Sequence, residues 1–309
     1  MSVDFLVGYT GFVGSNLAEQ HSFDGLFSSA NISEAWGAKP DLLVYAGVRS
    51  EMFIANKYPE QDRQIIASAE ENISRINAKK TVLISTAAVY PNPDKCDEDT
   101  DIDISCLPPY GANRYALEKW TENTQTAPLI VRLPAIFGKN LRKNFIYDLI
   151  HEIPSLLTEA KFAELSAKAP ELKGYYVPQD NGFLKCRALS GQETATLKNT
   201  FRKLGFTALN FTDSRSVYQF YSLGRLWQDI VTALSHGLRL LNLATPPVNA
   251  GELHKFLTGR DFVNELGRKP YSYDTRTKYA EFFGGSEGYI MSLEQELSDI
   301  RDFVKENML

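Results

Sequence analysis

The chain has 309 residues, of which 43% are hydrophobic and 23% are charged, and its formal net charge is -5. These values are typical of a soluble globular protein with one large or two modest domains, and the acidic balance argues against nucleic-acid or anionic-membrane partners. The sequence contains no run of 18 or more apolar residues, so no transmembrane helix is predicted. The N-terminus lacks the pattern of a signal peptide. Three cysteines without metal-ligand spacing and four scattered histidines do not indicate a metal site. We therefore expect a cytoplasmic protein with reduced thiols and no metal.

The first half of the chain alternates strand-like and helix-like segments. Continuous apolar runs cover residues 3–8, 41–47, 81–90 and 128–138, and such runs are typical of strands that are buried on both faces of a parallel sheet. Between the second and third runs, one helical stripe carries Ile65, Ile66, Ala69, Ile73 and Ile76. This alternation predicts a doubly wound α/β domain with right-handed crossovers.

The second half is less regular. Residues 139–213 contain helical pieces without a repeat, and strand-like segments follow at 216–222 and 238–244. Helix starts are predicted from the capping pairs Asn249 with Glu252 and Ser292 with Gln295. The last helix is expected to cover a core face with the in-register residues Leu293, Leu297, Ile300 and Val304.

A glycine-rich segment, GYTGFVGSNLAEQ, follows the first strand directly. Gly8, Gly11 and Gly14 are spaced three apart. Glycine permits a tight strand-to-helix turn with positive φ and lets the backbone approach a pyrophosphate, and the helix start offers free N–H groups and a positive dipole end. The position of this motif at the end of a strand predicts a dinucleotide-binding loop.

The GxxGxxG spacing resembles the extended branch of the short-chain dehydrogenase/reductase family, which contains sugar-nucleotide epimerases, dehydratases and reductases. The resemblance implies a Rossmann-type domain, an NAD or NADP cofactor, and a smaller α/β substrate-binding domain. It also implies a set of further cofactor contacts, which are Thr10, Phe12, Val13, Ser28, Asn31, Ile32, Ala46, Gly47, Ser85, Tyr110, Arg114 and Pro134.

The segment VLISTAAVYP resembles the family's fifth strand, in which a catalytic hydroxyl stands four residues before a strand-end tyrosine. That pattern selects Thr86, which would hydrogen-bond the reacting oxygen of the substrate, although threonine is also simply common in strands. Ala87, an expected substrate contact, and Ala88 stand where 4,6-dehydratases of the family carry an Asp-Glu pair. Ala88 also stands where the GDP-fucose synthase type carries a cysteine. Both of these assignments are therefore disfavoured.

Two tyrosines in PPYGANRYALEKW compete for the catalytic role. Tyr110 and Tyr115 lie about 140° apart around a helix, so only one of them can face the cofactor. The segment PYGANRYALE resembles the family pattern with Tyr110 as the acid–base residue, Arg114 in the lysine position and Glu118 in the glutamate position. The rival register, Tyr115 with Lys119, keeps the lysine but loses the proline and the glutamate. We favour Tyr110.

Arg114 is the main departure from the family. The family lysine lowers the pKa of the tyrosine and contacts the nicotinamide ribose. Arginine keeps the charge and can donate to ribose hydroxyls, but its fork is larger and does not readily relay a proton. We expect that cofactor binding is retained and that the chemistry is reduced or altered.

The adenosine end of the expected cofactor site lacks the usual signals. The segment between the first two apolar runs is short and has neither the acidic residue that holds a ribose 2′-hydroxyl nor an arginine for a 2′-phosphate. Asn31 and Ile32 resemble the pair that flanks adenine, and Ser28 and Ser29 could contact the ribose. The choice between NAD and NADP stays open.

Two arginines are candidates for the substrate diphosphate. SRSVYQFYSL resembles a family segment that places Arg215 there, and GRKPYSYDTRTKY resembles a second one that places Arg276. Guanidinium groups bind phosphate oxygens bidentately, although both residues could equally be solvated surface arginines. Residues 1–138 with 214–262 are expected to form the dinucleotide-binding domain, and 139–213 with 263–309 the substrate-binding domain.

These observations favour an NAD(P)-dependent epimerase or reductase of a nucleotide-linked sugar, acting in polysaccharide biosynthesis. The alternative is a cofactor-binding regulator or scaffold that is catalytically impaired by Arg114, and a different carbonyl reductase is a third candidate. The stripe over 60–77 and the outer face of the 110–124 helix resemble the family's dimer interface, which implies a homodimer.

Overall fold

The computed structural model describes residues 2–179 and 182–308. The strands are β1 Asp4–Val7, β2 Gly25–Phe27, β3 Leu42–Tyr45, β4 Lys80–Thr86, β5 Leu129–Leu133, β6 Ala135–Phe137, β7 Leu156–Thr158, β8 Tyr176–Pro178, β9 Phe183–Cys186, β10 Val217–Tyr218, β11 Phe220–Ser222, β12 Leu240–Asn242 and β13 Val248–Asn249. The α-helices are α1 Phe12–Gln20, α2 Met52–Lys57, α3 Pro59–Ile76, α4 Pro109–Thr124, α5 Phe145–His151, α6 Glu159–Lys168, α7 Gly191–Lys203, α8 Leu226–Ser235, α9 Ala250–Thr258 and α10 Leu293–Asn307.

A six-stranded parallel sheet in the order β12-β5-β4-β3-β1-β2 forms the centre of the fold. The apolar runs of the first half form β1, β3, β4 and β5, as the sequence predicts, except that the end of the run 128–138 forms β6, which pairs with β11 in a separate sheet. The fold is a Rossmann-type doubly wound α/β fold. The strand order reverses at β1, because β2 lies on one side of it and β3 on the other. A crevice for ligands is expected at this switch point, at the carboxyl ends of β1 and β3.

Both faces of the sheet are covered by helices. On one face α3 and α4 bury the expected stripe, including Ile66, Ile73 and Ile76, against Leu43 and Leu83. On the other face α1 and α8 pack against the alternate strand residues, among them Leu6, Val44 and Val82. Successive residues of a strand therefore pack on opposite faces of the sheet, in two different hydrophobic clusters. The apolar stripe of α3 lies in the core, and the homodimer stays a prediction.

The chain divides into two compact units, which are 1–141 with 218–248 and 272–300, and 142–217 with 249–271 and 301–309. This division departs from the expected one in that 272–300 belongs to the unit that contains the sheet, whereas 214–217 and 249–262 belong to the other unit. The second unit contains a three-stranded antiparallel sheet in the order β7-β9-β8. Its core includes Leu165 of α6 and Phe201 of α7. The substrate-binding role of this unit stays a prediction.

Both predicted capping pairs form. Asn249 Oδ1 accepts from the backbone N–H of Glu252 at 3.0 Å, and Ser292 Oγ accepts from the N–H of Gln295 at 3.2 Å. The predicted face of the last helix is wrong at its start, because Leu293 is 45% exposed and Glu296 is buried in its place. In the part of the chain that the structure describes, no helix is long and apolar enough to span a membrane.

Candidate active site

The glycine segment forms a cradle at the switch point of the sheet. Gly8 has φ +92°, and a Cβ built on it would lie 2.5 Å from the carbonyl oxygen of Ala46, just after β3. A Cβ on Gly14 would lie 2.1 Å from the carbonyl oxygen of Gly8. Neither position accepts a side chain, because a real Cβ does not approach a backbone atom so closely. Ala46 and Gly47, two of the expected cofactor contacts, are thus placed beside the turn.

The N-terminus of α1 completes the cradle. Gly11 is its N-cap residue, and no side chain among the described residues caps this end. The first-turn N–H groups, including those of Phe12 and Val13, are therefore available to an anion. Gly11 and Thr10 are exposed. The glycine cradle and the uncapped helix start fit the pyrophosphate of a dinucleotide.

The loop after β2 is closed by its own hydrogen bonds. Asn31 Oδ1 accepts from the backbone N–H of Ser28 at 2.8 Å, and Asn31 Nδ2 donates to the carbonyl oxygen of Leu26 at 3.1 Å. Ile32 packs partly against the core. Asn31 therefore shapes the loop, which leaves Ser29 and the backbone as its more exposed polar groups. Their roles in binding adenosine stay predictions.

A cavity of about 220 Å³ lies at the carboxyl end of β4 and β5. Its walls include three predicted site residues, Thr86, Ala87 and Pro134, and two residues that the sequence analysis did not single out, Met52 and Tyr273. Ala87 and Ala88 contribute neither an acid nor a base to this wall.

Tyr110 lies beside Thr86. It is the second residue of α4, where Pro109 occupies the first turn, and Asn56 Oδ1 accepts from its backbone N–H at 2.9 Å. Burial, the largest cause, raises the pKa of Tyr110, whereas the charge of Arg114 and a hydrogen bond with Thr86 lower it. The structure thus brings together the two hydroxyls that the sequence selects.

Arg114 stacks on Tyr110 and pairs with an acid that the sequence analysis missed. Its guanidinium carbon lies 4.4 Å from the centroid of the Tyr110 ring. Its Nη1 donates to Asp62 Oδ2 at 2.6 Å and its Nη2 to Asp62 Oδ1 at 3.0 Å. Nη2 also donates to the carbonyl oxygen of Arg49 at 2.5 Å. Both side chains of the ion pair are buried, with 6% and 5% exposed. The sequence offered one signal for Asp62. This acidic residue stands at the start of the apolar stripe of α3, where a buried side chain is expected.

The rival pair lies elsewhere on the helix. Lys119 is half exposed, donates to Glu122 at 2.8 Å and lies over the ring of Tyr115. Tyr115 packs against the small cluster of Val89 and Cys96. Among the described residues of α4, Arg114 is therefore the only cation beside Tyr110.

A second buried network lies behind Thr86. Arg132 of β5 forms a bidentate pair with Glu118, with Nη2 to Oε2 at 2.6 Å, and Ser85 donates to Glu118 Oε1 at 2.5 Å. Arg132 Nη1 also donates to the hydroxyl of Tyr90 at 2.7 Å. Ser85, an expected cofactor contact, is therefore engaged in fixing α4 against the sheet.

Comparisons with known proteins identify the architecture. No protein-family model and no curated protein matches the chain. Among solved structures, dTDP-4-dehydrorhamnose reductase from Bacillus anthracis in complex with NADP is similar with a TM-score of 0.62 and 17% identity, over 99% of each chain. WbmG from Bordetella bronchiseptica in complex with NAD has a TM-score of 0.65 and 13% identity, over 99% of this chain and 96% of that one. RMD from Pseudomonas aeruginosa, complexed with NADPH, has a TM-score of 0.61 and 15% identity, over 99% of each chain.

The chain has the fold of the extended short-chain dehydrogenases/reductases. The resemblance inferred from the sequence is thereby confirmed at the level of the fold.

Both predicted substrate arginines have acidic partners within their own unit. Arg215 donates to Asp213 through Nε at 2.9 Å and through Nη2 at 2.8 Å, and its Nη1 reaches Glu265 at 2.8 Å. Arg276 pairs with Asp274 at 3.2 Å. A phosphate bound at either arginine would therefore share the guanidinium group with the carboxylate that already pairs with it. In the described ranges 2–179 and 182–308, no cluster of His, Cys, Asp or Glu side chains could hold a metal ion.

Proposed function

We propose that this chain belongs to the extended short-chain dehydrogenase/reductase family and is an NAD(P)-dependent reductase or epimerase of a nucleotide-linked sugar. The observation that carries the proposal is the placement of Tyr110 beside Thr86, at the carboxyl end of β4, in the same unit as the glycine cradle. Structural neighbours with this fold include a reductase and a UDP-galactose 4-epimerase, which supports the substrate class.

The chain's own residues supply binding and proton transfer. The backbone of Gly8–Gly14 and the start of α1 would hold the pyrophosphate of NAD or NADP, and the bound dinucleotide would supply or accept a hydride. Thr86 and Tyr110 would hydrogen-bond the substrate oxygen, and Tyr110 would pass a proton to or from it. Arg215 and Arg276 are proposed contacts of the substrate diphosphate, and a homodimer is the proposed assembly.

A second candidate function is a cofactor-binding regulator without efficient turnover. The pairing of Arg114 with Asp62 favours it, because a guanidinium held by a buried carboxylate has fewer N–H groups left for a ribose. The two candidates share the cradle and differ in whether chemistry follows binding.

The test combines cofactor identification with a substrate panel. The dinucleotide that copurifies with the protein is released and identified, and UDP-, GDP- and dTDP-linked sugars and their 4-keto forms are assayed for turnover and for thermal shift. Turnover of one of them by the wild type supports the enzyme and contradicts the regulator. Dinucleotide binding with a sugar-dependent thermal shift but no turnover by the wild type supports the regulator, and turnover gained in Arg114→Lys would identify Arg114 as the cause of the impairment. Failure of every sugar to shift the melting temperature contradicts the nucleotide-sugar proposal.

A further inference from the structure

Asp62 of α3 lies where it can set the electrostatics of Tyr110. Its two carboxylate oxygens accept hydrogen bonds from Nη1 and Nη2 of Arg114, and Oδ2 also accepts one from Asn113 Nδ2 at 2.8 Å. The pair is almost completely buried. A bidentate fork in such a site has a fixed orientation, so Asp62 fixes the plane in which Arg114 meets the Tyr110 ring.

The charges that face Tyr110 come from two elements. Arg114 from α4 lowers the pKa of its hydroxyl and Asp62 from α3 raises it, after the larger effect of burial. The polar groups that contact Tyr110 from the other elements are neutral side chains, Thr86 from β4 and Asn56 from α2. The positive charge that would otherwise stabilise a tyrosinate is therefore opposed by a carboxylate at hydrogen-bond distance.

We infer that Asp62 is a positioning residue, which holds Arg114 against Tyr110 and compensates its charge, so that Tyr110 serves as a proton donor to a substrate carbonyl. This inference rests on the proposed function and narrows it to reduction. A reduced nicotinamide dinucleotide gives a hydride to the carbonyl carbon and becomes oxidised, and the Tyr110 hydroxyl gives its proton to the oxygen, which yields an alcohol. Tyr110 then regains a proton from solvent.

The test follows the ionisation of Tyr110 in protein labelled with carbon-13 at the tyrosine Cζ, and Tyr110→Phe identifies the signal. In the wild type we expect the midpoint to lie above that of an unperturbed tyrosine, because burial raises the pKa of Tyr110. Asp62→Asn leaves the guanidinium uncompensated, and the midpoint is expected to fall by about one pH unit or more. Asp62→Asn/Arg114→Gln removes both charges and is expected to return the midpoint towards that of the wild type. An unchanged midpoint in Asp62→Asn overturns the inference.

A second variant covers the case in which Asp62→Asn does not fold, since it leaves a buried charge without its partner. Arg114→Lys keeps a cation beside Asp62, so compensation predicts a midpoint within about half a pH unit of the wild type. A fall of a full unit in Arg114→Lys alone would show that Asp62 does not compensate the cation.

A kinetic arm tests the direction of the reaction. Once a substrate is known, kcat for its reduction is measured as a function of pH. In Asp62→Asn, the fall of kcat at alkaline pH is expected to move to lower pH by as many units as the Tyr110 midpoint does. A fall that stays in place contradicts the proton-donor role. The NMR titration requires no dinucleotide, so a chain that fails to bind NAD(P) would refute the proposed function while the effect of Asp62 on Tyr110 could still be measured.

Discussion

The hydroxyl of Tyr110 lies between a threonine and an ion pair, and this small set of side chains determines what chemistry the site can perform. Thr86 and Tyr110 are the residues that the family resemblance predicts, and Arg114, which stands in the predicted lysine position, forms a neutral pair with Asp62. Tyr110 and Thr86 could be selected from the sequence because their segments resemble the family's patterns. Asp62 is 52 positions away from Arg114, and local patterns do not report such a pairing.

Tyr110→Phe is expected to lower turnover by about 10²- to 10⁴-fold, because it removes the hydroxyl that moves the proton. Steady-state kinetics on the substrate found by the panel measure the effect. Tyr115→Phe is the matched control, since Tyr115 packs away from Thr86 on the same helix, and its turnover should stay within about twofold of the wild type. Equal losses in the two variants would point to the rival register.

Glu296 gives a prediction on the pH dependence of stability. Its carboxyl is buried and accepts from the backbone N–H of Phe220 at 2.9 Å, and burial raises its pKa to about 9 from 4.5. A raised pKa in the folded state means that the stabilisation is complete below the unfolded pKa, near 4.5, and is lost as the pH rises towards 9.

Glu296→Gln mimics the protonated acid and should remove this loss. We expect the free energy of unfolding of the wild type to fall between about pH 5 and pH 9, relative to the variant, by more than about 1 kcal/mol, since one pKa unit corresponds to about 1.4 kcal/mol. Urea denaturation at several pH values measures it. Parallel curves for the two proteins would contradict the protonated state of Glu296.

The helix α4 is held in place by its buried Glu118 as well as by its apolar face. Glu118 pairs with Arg132 across the helix–sheet interface, and Lys119 next to it forms only a surface pair. Burial raises the pKa of Glu118, whereas its pairing with Arg132 lowers it. The orientation of Tyr110 therefore depends on a polar network that the strand pattern of β5 does not reveal.

Glu118→Gln is expected to cost about 3–5 kcal/mol of stability, because it leaves Arg132 buried with no carboxylate partner. Lys119→Gln is the adjacent control and should cost less than about 1 kcal/mol, as is usual for exposed ion pairs. Chemical denaturation measures the free energy of unfolding of both variants and of the wild type. Similar values for the two would show that the Glu118–Arg132 pair contributes no more than a surface contact.

The turn between β1 and α1 gives a further prediction at Gly14. Gly14→Ala should destabilise the fold by about 1–3 kcal/mol or more, because the new Cβ would overlap the carbonyl oxygen of Gly8. Gly191→Ala, at a helical glycine with nothing within 4 Å of the built Cβ, is the control and should not destabilise the protein. Thermal denaturation measures both. A stable Gly14→Ala would show that the turn can relax.

The longer elements of the first half could be predicted because each one carries its own pattern, whereas the short β2 and α2 were not predicted. The strands β1, β3, β4 and β5 are buried runs, and α3 has a clear apolar stripe. The short strands β7, β8 and β9 were not predicted, since strands of three or four residues show too little alternation and form only by pairing with each other. The start of α10 was misassigned because a buried Glu296 takes the place of an apolar residue.

The whole chain has the same fold as solved structures with which it shares few residues. The three structures compared are 13–17% identical to it, and the similarity extends over 96–99% of their lengths. The residues that define the fold, such as Gly8 and Gly14, are set by backbone geometry and could be recognised from the sequence. The cofactor preference, the substrate and the assembly depend on individual side chains, and they stay proposals.

Titration calorimetry with NADH and NADPH tests the central proposal, a dinucleotide held by the glycine cradle, most directly. The wild type is expected to bind at least one of the two, and Gly11→Ala should weaken that binding by about tenfold or more with little change in melting temperature, because a Cβ there meets only the carbonyl oxygen of Gly8, at 3.2 Å. Gly174→Ala, whose Cβ would meet nothing within 4 Å, should bind like the wild type. Failure of both dinucleotides to bind the wild type, or equal binding by all three proteins, would contradict the proposal.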